Sequence, residues 1–321
     1  MPEALHHSRR PRRRVLLGAG LAALLPGAMA QPPLRIVVPS PPGGPQDKLA
    51  RLLARQLSVM RNEPVLVDNR PGADSAIATE QVIGAQPPER SLLITSTVLA
   101  LGAVQGKFHF DPFTDLKPVI QAADMDLMLV ARADLPVARP ADLIAYMKAG
   151  HTASCGAGIG QMFLACLQLR EQLGPGLTAV SFNGIAKLVT TLLGGHIDIG
   201  VLPSSDASGH LANGRLQALA ISGHASTGAQ YAQLPLIDAT WPDIDLNSYM
   251  GLYAPATASD DAVARWNADL NAVLQREDVR RTLATFDMSP VGGSPEVLKA
   301  RLRQNRAHFQ RLKPLLDAEG R

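Results

Sequence analysis

From residue 34 onward, short apolar runs alternate with longer segments whose apolar residues recur every three or four positions. Leu34–Pro39 reads as a strand, Pro41–Pro45 as a loop, and Asp47–Leu57, apolar at 49, 50, 52, 53 and 57, as a helix. Pro64–Asp68 is the next strand, Asn69–Ser75 a turn, Ile77–Ala85 a helix and Leu92–Thr97 a third strand. The pattern resumes after residue 132. A helix opens at Arg139-Pro140-Ala141-Asp142, and strands are expected at Thr152–Cys155, Leu177–Phe182, Ile197–Leu202 and Leu219–Ser222. Helices at Gln161–Leu173, Ile185–Leu193 and near Asp206–Ala212 lie between them. A strand at Tyr249–Ala254 and helices near Asp260–Gln275, Glu277–Phe286 and Pro295–Leu316 complete the chain, the last with a basic, solvated face. Repeated β-loop-α units with short loops predict parallel sheets covered by helices. Two such lobes predict a cleft beyond the strand carboxyl ends, where helix starts converge.

Composition sharpens this picture. With 46% hydrophobic and 18% charged residues the 321-residue chain is globular, long enough for one large or two ordinary domains. The formal charge of +3 is not spread evenly: residues 1–30 carry five arginines against Glu3, which leaves 26 basic and 27 acidic side chains elsewhere. A near-neutral body excludes clustered phosphate binding, and 13 aromatics argue against base-stacking platforms. No nucleic-acid partner is expected.

Residues 1–30 read as an export signal. Five arginines precede the apolar run Val15–Leu25, Pro26-Gly27 breaks it, and Ala28-Met29-Ala30 offers small residues for cleavage after about Ala30. Eleven apolar residues are short of the ~20 that span a bilayer, so a membrane anchor is the lesser alternative. Arg12-Arg13-Arg14-Val15-Leu16 also fits a loose twin-arginine pattern, which leaves the export route open. No later run approaches 18 uninterrupted apolar residues, so a soluble periplasmic protein is expected. Cys155, read as part of a Gly-rich turn, and Cys166, read on the following helix, are expected to stay separate thiols, although an oxidising compartment permits a bond.

Motifs for catalysis are weak. Gly156-Ala157-Gly158-Ile159-Gly160 follows a strand, but its third glycine comes one position early for a dinucleotide loop. No GxSxG, HExxH or Walker loop occurs. Cys155 with His151 is the one conceivable nucleophile and base, and the histidines lack metal-ligand spacing. No catalytic residue, metal or cofactor is expected.

Seven segments in order carry a resemblance: Leu34–Leu57, Pro64–Ala73, Phe110–Val119, Leu192–Ile199, Gly214–Ser222, Gly251–Ala256 and Ser289–Glu296. Over about residues 33–316 the chain resembles the solute-binding proteins of tripartite tricarboxylate transporters, the Bug or TctC family. The resemblance implies an α/β, type II periplasmic binding protein fold, two α/β lobes with a ligand cleft at the hinge. Lobe 1 would comprise 31–131 plus 251–300, lobe 2 132–250, and a C-terminal helix at 301–321 would pack across both. Hinge strands would lie near Leu127–Ala131 and Gly251–Ala254. The implied function is capture of a small molecule (a di- or tricarboxylate, acidic amino acid, or pyridine carboxylate or amide) by a monomer that delivers it to membrane transporter subunits. A ligand carrier for a membrane sensor and a periplasmic enzyme using the Cys155 region are the alternatives.

Five loops are the expected contacts. Pro42, Gly43, Gly44 and Gln46 lie before and within the first helical turn, where backbone N–H groups and the helix dipole favour an anion; a plain helix-initiating turn led by Asp47 is the structural alternative. Gly72, Ala73, Asp74 and Ser75 follow the second strand, where the family pattern has glycines. Here Asp74 or Ser75 is expected to cap the next helix, and a carboxylate at 74 would repel an anion or pair with a ligand ammonium. Asn69 and Arg70 read as turn braces. Ser96 and Thr97 offer hydroxyls, whereas Gly158, Gly160 and Gln161, and Ser204 and Ser205, stand where the family has other polar groups. The pocket is therefore expected to be less polar than usual.

Overall fold

A computed structural model describes residues 32–158, 160–223 and 229–319; the expected export signal at 1–30 and Ile159 lie outside the described residues. In chain order the first elements are β1 (Leu34–Val38), α1 (Pro45–Arg61), β2 (Val65–Asn69), α2 (Ala76–Ile83), β3 (Ser91–Thr95), α3 (Val98–Val104) and β4 (Leu116–Met125). There follow β5 (Leu127–Arg132), α4 (Pro140–Lys148), β6 (Ala153–Gly158), α5 (Gln161–Leu173), β7 (Leu177–Phe182), α6 (Ile185–Leu193), β8 (Ile199–Pro203), α7 (Ser204–Ala212) and β9 (Leu216–Ile221). The last are α8 (Ile237–Thr240), β10 (Ser248–Pro255), α9 (Asp260–Gln275), α10 (Glu277–Ala284), β11 (Met288–Pro290) and α11 (Pro295–Ala318).

Two sheets organise them, in the orders β11-β4-β10-β3-β1-β2 and β7-β6-β8-β5-β9. Central strands are apolar throughout because both faces are covered: every residue of β3, β8 and β10 is buried. The α1 stripe predicted at 49, 50, 52, 53 and 57 is the face that packs inward. The sheets are mixed, not purely parallel. β1 is parallel to β2 and β3, and β6 to β7 and β8, but β10 runs antiparallel to β3 and β4, and β5 antiparallel to β8 and β9. α3 and the ten-residue β4 were not anticipated by the hydrophobic pattern.

The chain leaves the first sheet at the end of β4 and enters the second at β5, so the crossing falls at Asp126. A boundary at 131 is one strand late, and the return begins with β10 at Ser248 rather than 251. The crossing is tied by buried polar groups. Ser204 N–H donates to the Asp126 carbonyl at 3.0 Å, and Ser222 N–H to the Leu127 carbonyl at 2.9 Å. The Ser222 hydroxyl donates to the Asp126 carboxylate at 3.1 Å and accepts from Leu127 N–H at 3.0 Å. α11 starts at Pro295, packs on α3 and β4 and touches α5, and beyond its end Glu319 accepts from Arg170 at 2.5 Å.

The cysteines correct another expectation. Cys155 lies on β6, not in a turn, and Cys166 on the α5 face that covers that strand. Strand-over-helix packing brings their Cα atoms to 5.8 Å, and they form a disulfide. Cys155 is fully buried, and His151 stacks on Tyr146 with ring centroids 4.3 Å apart. The sulfur that an enzyme reading needs as a nucleophile is thus occupied.

At Gly251 of β10 the sheet lies against Leu298 of α11. A Cβ there would fall 2.8 Å from Leu298 Cδ1 and 3.0 Å from the Tyr253 ring. Gly251→Ala should therefore destabilise the fold by about 1–3 kcal/mol through overpacking. Urea unfolding would show it as a lower midpoint at unchanged slope; an unchanged midpoint would mean that α11 yields freely.

Candidate functional site

Because β1, β2 and β3 run in one direction, their carboxyl ends share an edge, and α1, α2 and α3 begin there. β6 and β8 likewise place the starts of α5 and α7 on one edge of the second sheet. The two edges meet: a Cβ on Gly160 would sit 3.8 Å from Leu101, and a cavity of about 80 Å³ is lined by residues from both, including Asp74, Val98, Gly160 and Phe163. None of the five helix starts has a side-chain cap. Their first N–H groups concentrate positive partial charge on this cleft.

Asp47 organises the first loop. Its buried carboxylate accepts from Gly43 N–H, Arg51 Nε and Asn69 Nδ2, each at 2.9 Å. Burial works to raise its pKa, but the hydrogen bonds from Arg51, Gly43 and Asn69 outweigh it and hold the carboxyl below its ordinary value. Asn69 also donates to the Ser40 carbonyl at 3.0 Å, and Arg70 pairs with Asp68, so both act as turn braces. Gly43 N–H is thereby committed. Pro42 is exposed, Gly44 is the residue before α1, and Gln46 sits half-buried in its first turn.

The second loop departs from its expected role. Ala73, Asp74 and Ser75 form a 3-10 turn with φ of 47°, 50° and 80°, three successive left-handed residues after Gly72, none of them glycine. Such backbone costs about 1–2 kcal/mol per residue. Neither Asp74 nor Ser75 caps α2. Asp74 instead accepts from Lys107 Nζ at 2.7 Å, and the Ser75 hydroxyl turns to Thr95 Oγ1 at 3.5 Å.

The remaining predicted residues divide. Thr97 is buried at the start of α3 beside half-buried Ser96, and Gly158 is buried at the end of β6. Gly160 adopts φ 79°, ψ −138°, a region only glycine enters freely, and this aims the start of α5 at the first lobe. Gln161 turns away, donating to the Asp245 carbonyl at 2.7 Å. Ser204 and Ser205 open α7, Ser204 buried against the Asp126 crossing.

Four groups here escaped sequence reading. Lys48 of α1 attracts Asp206 of α7 across the cleft, yet burial still raises the Asp206 carboxyl above its ordinary value. Asp287, in left-handed backbone before β11, is likewise raised by burial, partly offset by the nearby Ser204 hydroxyl, the Gln230 amide, which donates to it at 3.3 Å, and the nearby Tyr231 hydroxyl. Burial and the Asp287 charge push the Tyr231 phenol up to about 12. Nothing local in the sequence signals these groups, because each partner is distant along the chain. Two larger grooves, of about 540 and 530 Å³, lie along the 237–247 segment and between residues 112–118 and α11; they include the starts of α8, α9 and α11 but none of α1, α2, α3, α5 or α7.

Comparison with known proteins agrees with this geometry. The sequence profile described as the tripartite tricarboxylate transporter family receptor matches residues 49–320. A protein encoded in the tcbD–tcbE intergenic region of Pseudomonas sp. (strain P51) is 29% identical, over 94% of this chain and 93% of that one. The structure of the periplasmic binding protein BugD aligns with a TM-score of 0.75 at 25% identity, covering 88% of this chain and 97% of its own. MatC from Rhodopseudomonas palustris, solved with bound malate, aligns with a TM-score of 0.75 at 23% identity, covering 87% and 98%.

Two predictions follow from the charges. Asp47→Ala should cost about 2–4 kcal/mol in denaturant unfolding at pH 7, because three donors lose a buried acceptor; a loss below about 0.5 kcal/mol would mean that the loop holds itself. Asp206 and Asp287 act in the opposite sense. With folded pKa values above the ordinary 3.8, their contribution is full below that value and lost as pH rises through the raised ones. Asp206→Asn and Asp287→Asn should each raise Tm at pH 7, by a few degrees (roughly 2–4 °C per kcal/mol for a chain of this order), and flatten the fall in Tm between pH 4 and 7. An unchanged pH profile in both variants would contradict the assignment.

Proposed function

The chain belongs to the tripartite tricarboxylate transporter receptor family, and from that premise we propose that its cleft captures one small carboxylate metabolite. The protein works in the periplasm, exported on residues 1–30, and presents the ligand as a monomer to the membrane subunits of such a transporter. Its function is affinity and lobe closure, without turnover.

The observation that carries this reading is the gathering of five helix starts, α1, α2, α3, α5 and α7, at one cleft without a side-chain cap among them. Backbone N–H groups and helix dipoles suit a carboxylate without any dedicated arginine. Malate, a small dicarboxylate, in the like-folded MatC supports the ligand class. The disulfide at Cys155 weighs against the enzyme alternative.

A thermal-shift panel of mono-, di- and tricarboxylates, acidic amino acids, pyridine carboxylates and neutral amides tests the reading. A true ligand at a hundred times its Kd adds about 2.7 kcal/mol, or roughly 5–10 °C in Tm for a chain of this order. If no carboxylate shifts Tm while a neutral amide does, the anion-capture reading fails.

A further inference from the structure

The described cavity between α3 and the start of α5 is small, and the two charged side chains among its walls pair with each other. Apart from Asp74 and Lys107, its walls include Val98, Leu101, Phe163 and Leu316, with the Gln105 amide as the uncharged polar side chain. Its volume is about 80 Å³, against about 540 and 530 Å³ for the two larger grooves. A short tail fits.

The pair is built, not incidental. Lys107 follows the left-handed Gly106, and its N–H donates to the Gly102 carbonyl at 3.0 Å, closing the last turn of α3. The Phe108 ring packs against Gly102 so closely that a Cβ there would fall 2.2 Å from Cζ. The backbone that carries Lys107 is thus held on α3, from which the ammonium reaches Asp74 Oδ2 at 2.7 Å. Asp74 meets it from the strained run at 73–75, where side chains stand in left-handed backbone. Strain of this kind persists where the surroundings impose it, and it collects at ligand clamps. The run positions a carboxylate at the cavity wall, neutralised by its own lysine.

We propose that this pair makes the protein a receptor for monocarboxylates with a short uncharged tail, by denying a second ligand carboxylate its cation. The inference rests on the carboxylate-capture reading and narrows its ligand class. Asp74 holds Lys107 as an internal substitute for that second carboxylate. A dicarboxylate reaching the cavity meets a lysine already paired with Asp74 and must lie beside that like charge.

Isothermal titration with length-matched probes tests this: butyrate against succinate, pentanoate against glutarate, hexanoate against adipate. The wild-type protein should bind the monocarboxylate of its tightest pair at least tenfold more strongly than the dicarboxylate. Asp74→Asn, which keeps a residue tolerant of left-handed backbone, should shift that ratio at least tenfold toward the dicarboxylate. Adding Lys107→Met should abolish the shift. Should Asp74→Asn melt below the assay temperature, Asp74→Gly, which relieves the strain, carries the same expectation. A wild-type preference for dicarboxylates, or a ratio unmoved by either Asp74 variant in a folded protein, overturns this inference alone. If no probe binds any of the proteins, the capture of small aliphatic carboxylates falls, and this inference with it.

Discussion

The cleft depends on how the chain crosses between its two sheets. At Asp126 the backbone leaves one ladder before joining the next, and buried polar groups without partners would each cost about 1–3 kcal/mol. Ser222, Ser204 and Leu127 supply those partners, so the ends of β4, β5, β8 and β9 are tied at one point. That point sets where α7 begins relative to the first sheet, and hence where the cleft has its floor.

Around this crossing the electrostatics are a contest between backbone and carboxylates. Helix starts make the cleft positive, yet Asp47, Asp74, Asp206 and Asp287 all lie at or near it. They are handled differently. Asp47 is saturated with donors and serves as scaffolding, and Asp74 is matched by a lysine. Asp206 and Asp287 are the two in which burial prevails over their partners and disfavours the charge. The side chains therefore give the cleft little net attraction for an anion, and its preference is carried by amides whose positions follow from the strand ends.

Much of the fold is legible in the sequence because the physics is local. LRIVV and SLLIT can only be buried strands, and the 49–57 stripe has a single inward face. What stays hidden is set by distant partners. β4 mixes Lys117, Pro118, Gln121 and Asp124 among its apolar residues, so neither period stands out, and its pairing with β10 is decided by residues about 130 positions away. The direction of β10 has no signature in its own residues. At the site, the loops after β1, β2, β3, β6 and β8 were legible as a class, but not which side chains face the cleft. Gln161 is buried and donates to the Asp245 carbonyl, and Lys107 enters from 33 residues beyond its partner. The disulfide stays hidden for one reason: the glycines after Cys155 read as a turn, whereas β6 continues through Gly158 beneath α5 and gives the strand-over-helix geometry that makes the bond fit.

That disulfide ties β6 to the helix whose start faces the cleft, and its bearing on biogenesis is a question of order. Thiols stay reduced in the cytoplasm and oxidise beyond the membrane. A chain threaded across unfolded meets the oxidant with both sulfurs accessible and closes the link as the lobe forms. A chain that folds first carries Cys155 and Cys166 inward as thiols, where both are fully buried and the oxidant reaches them only through local opening. For an exported chain the crosslink would make the order of folding and crossing consequential, the bond closing early by one route and late by the other.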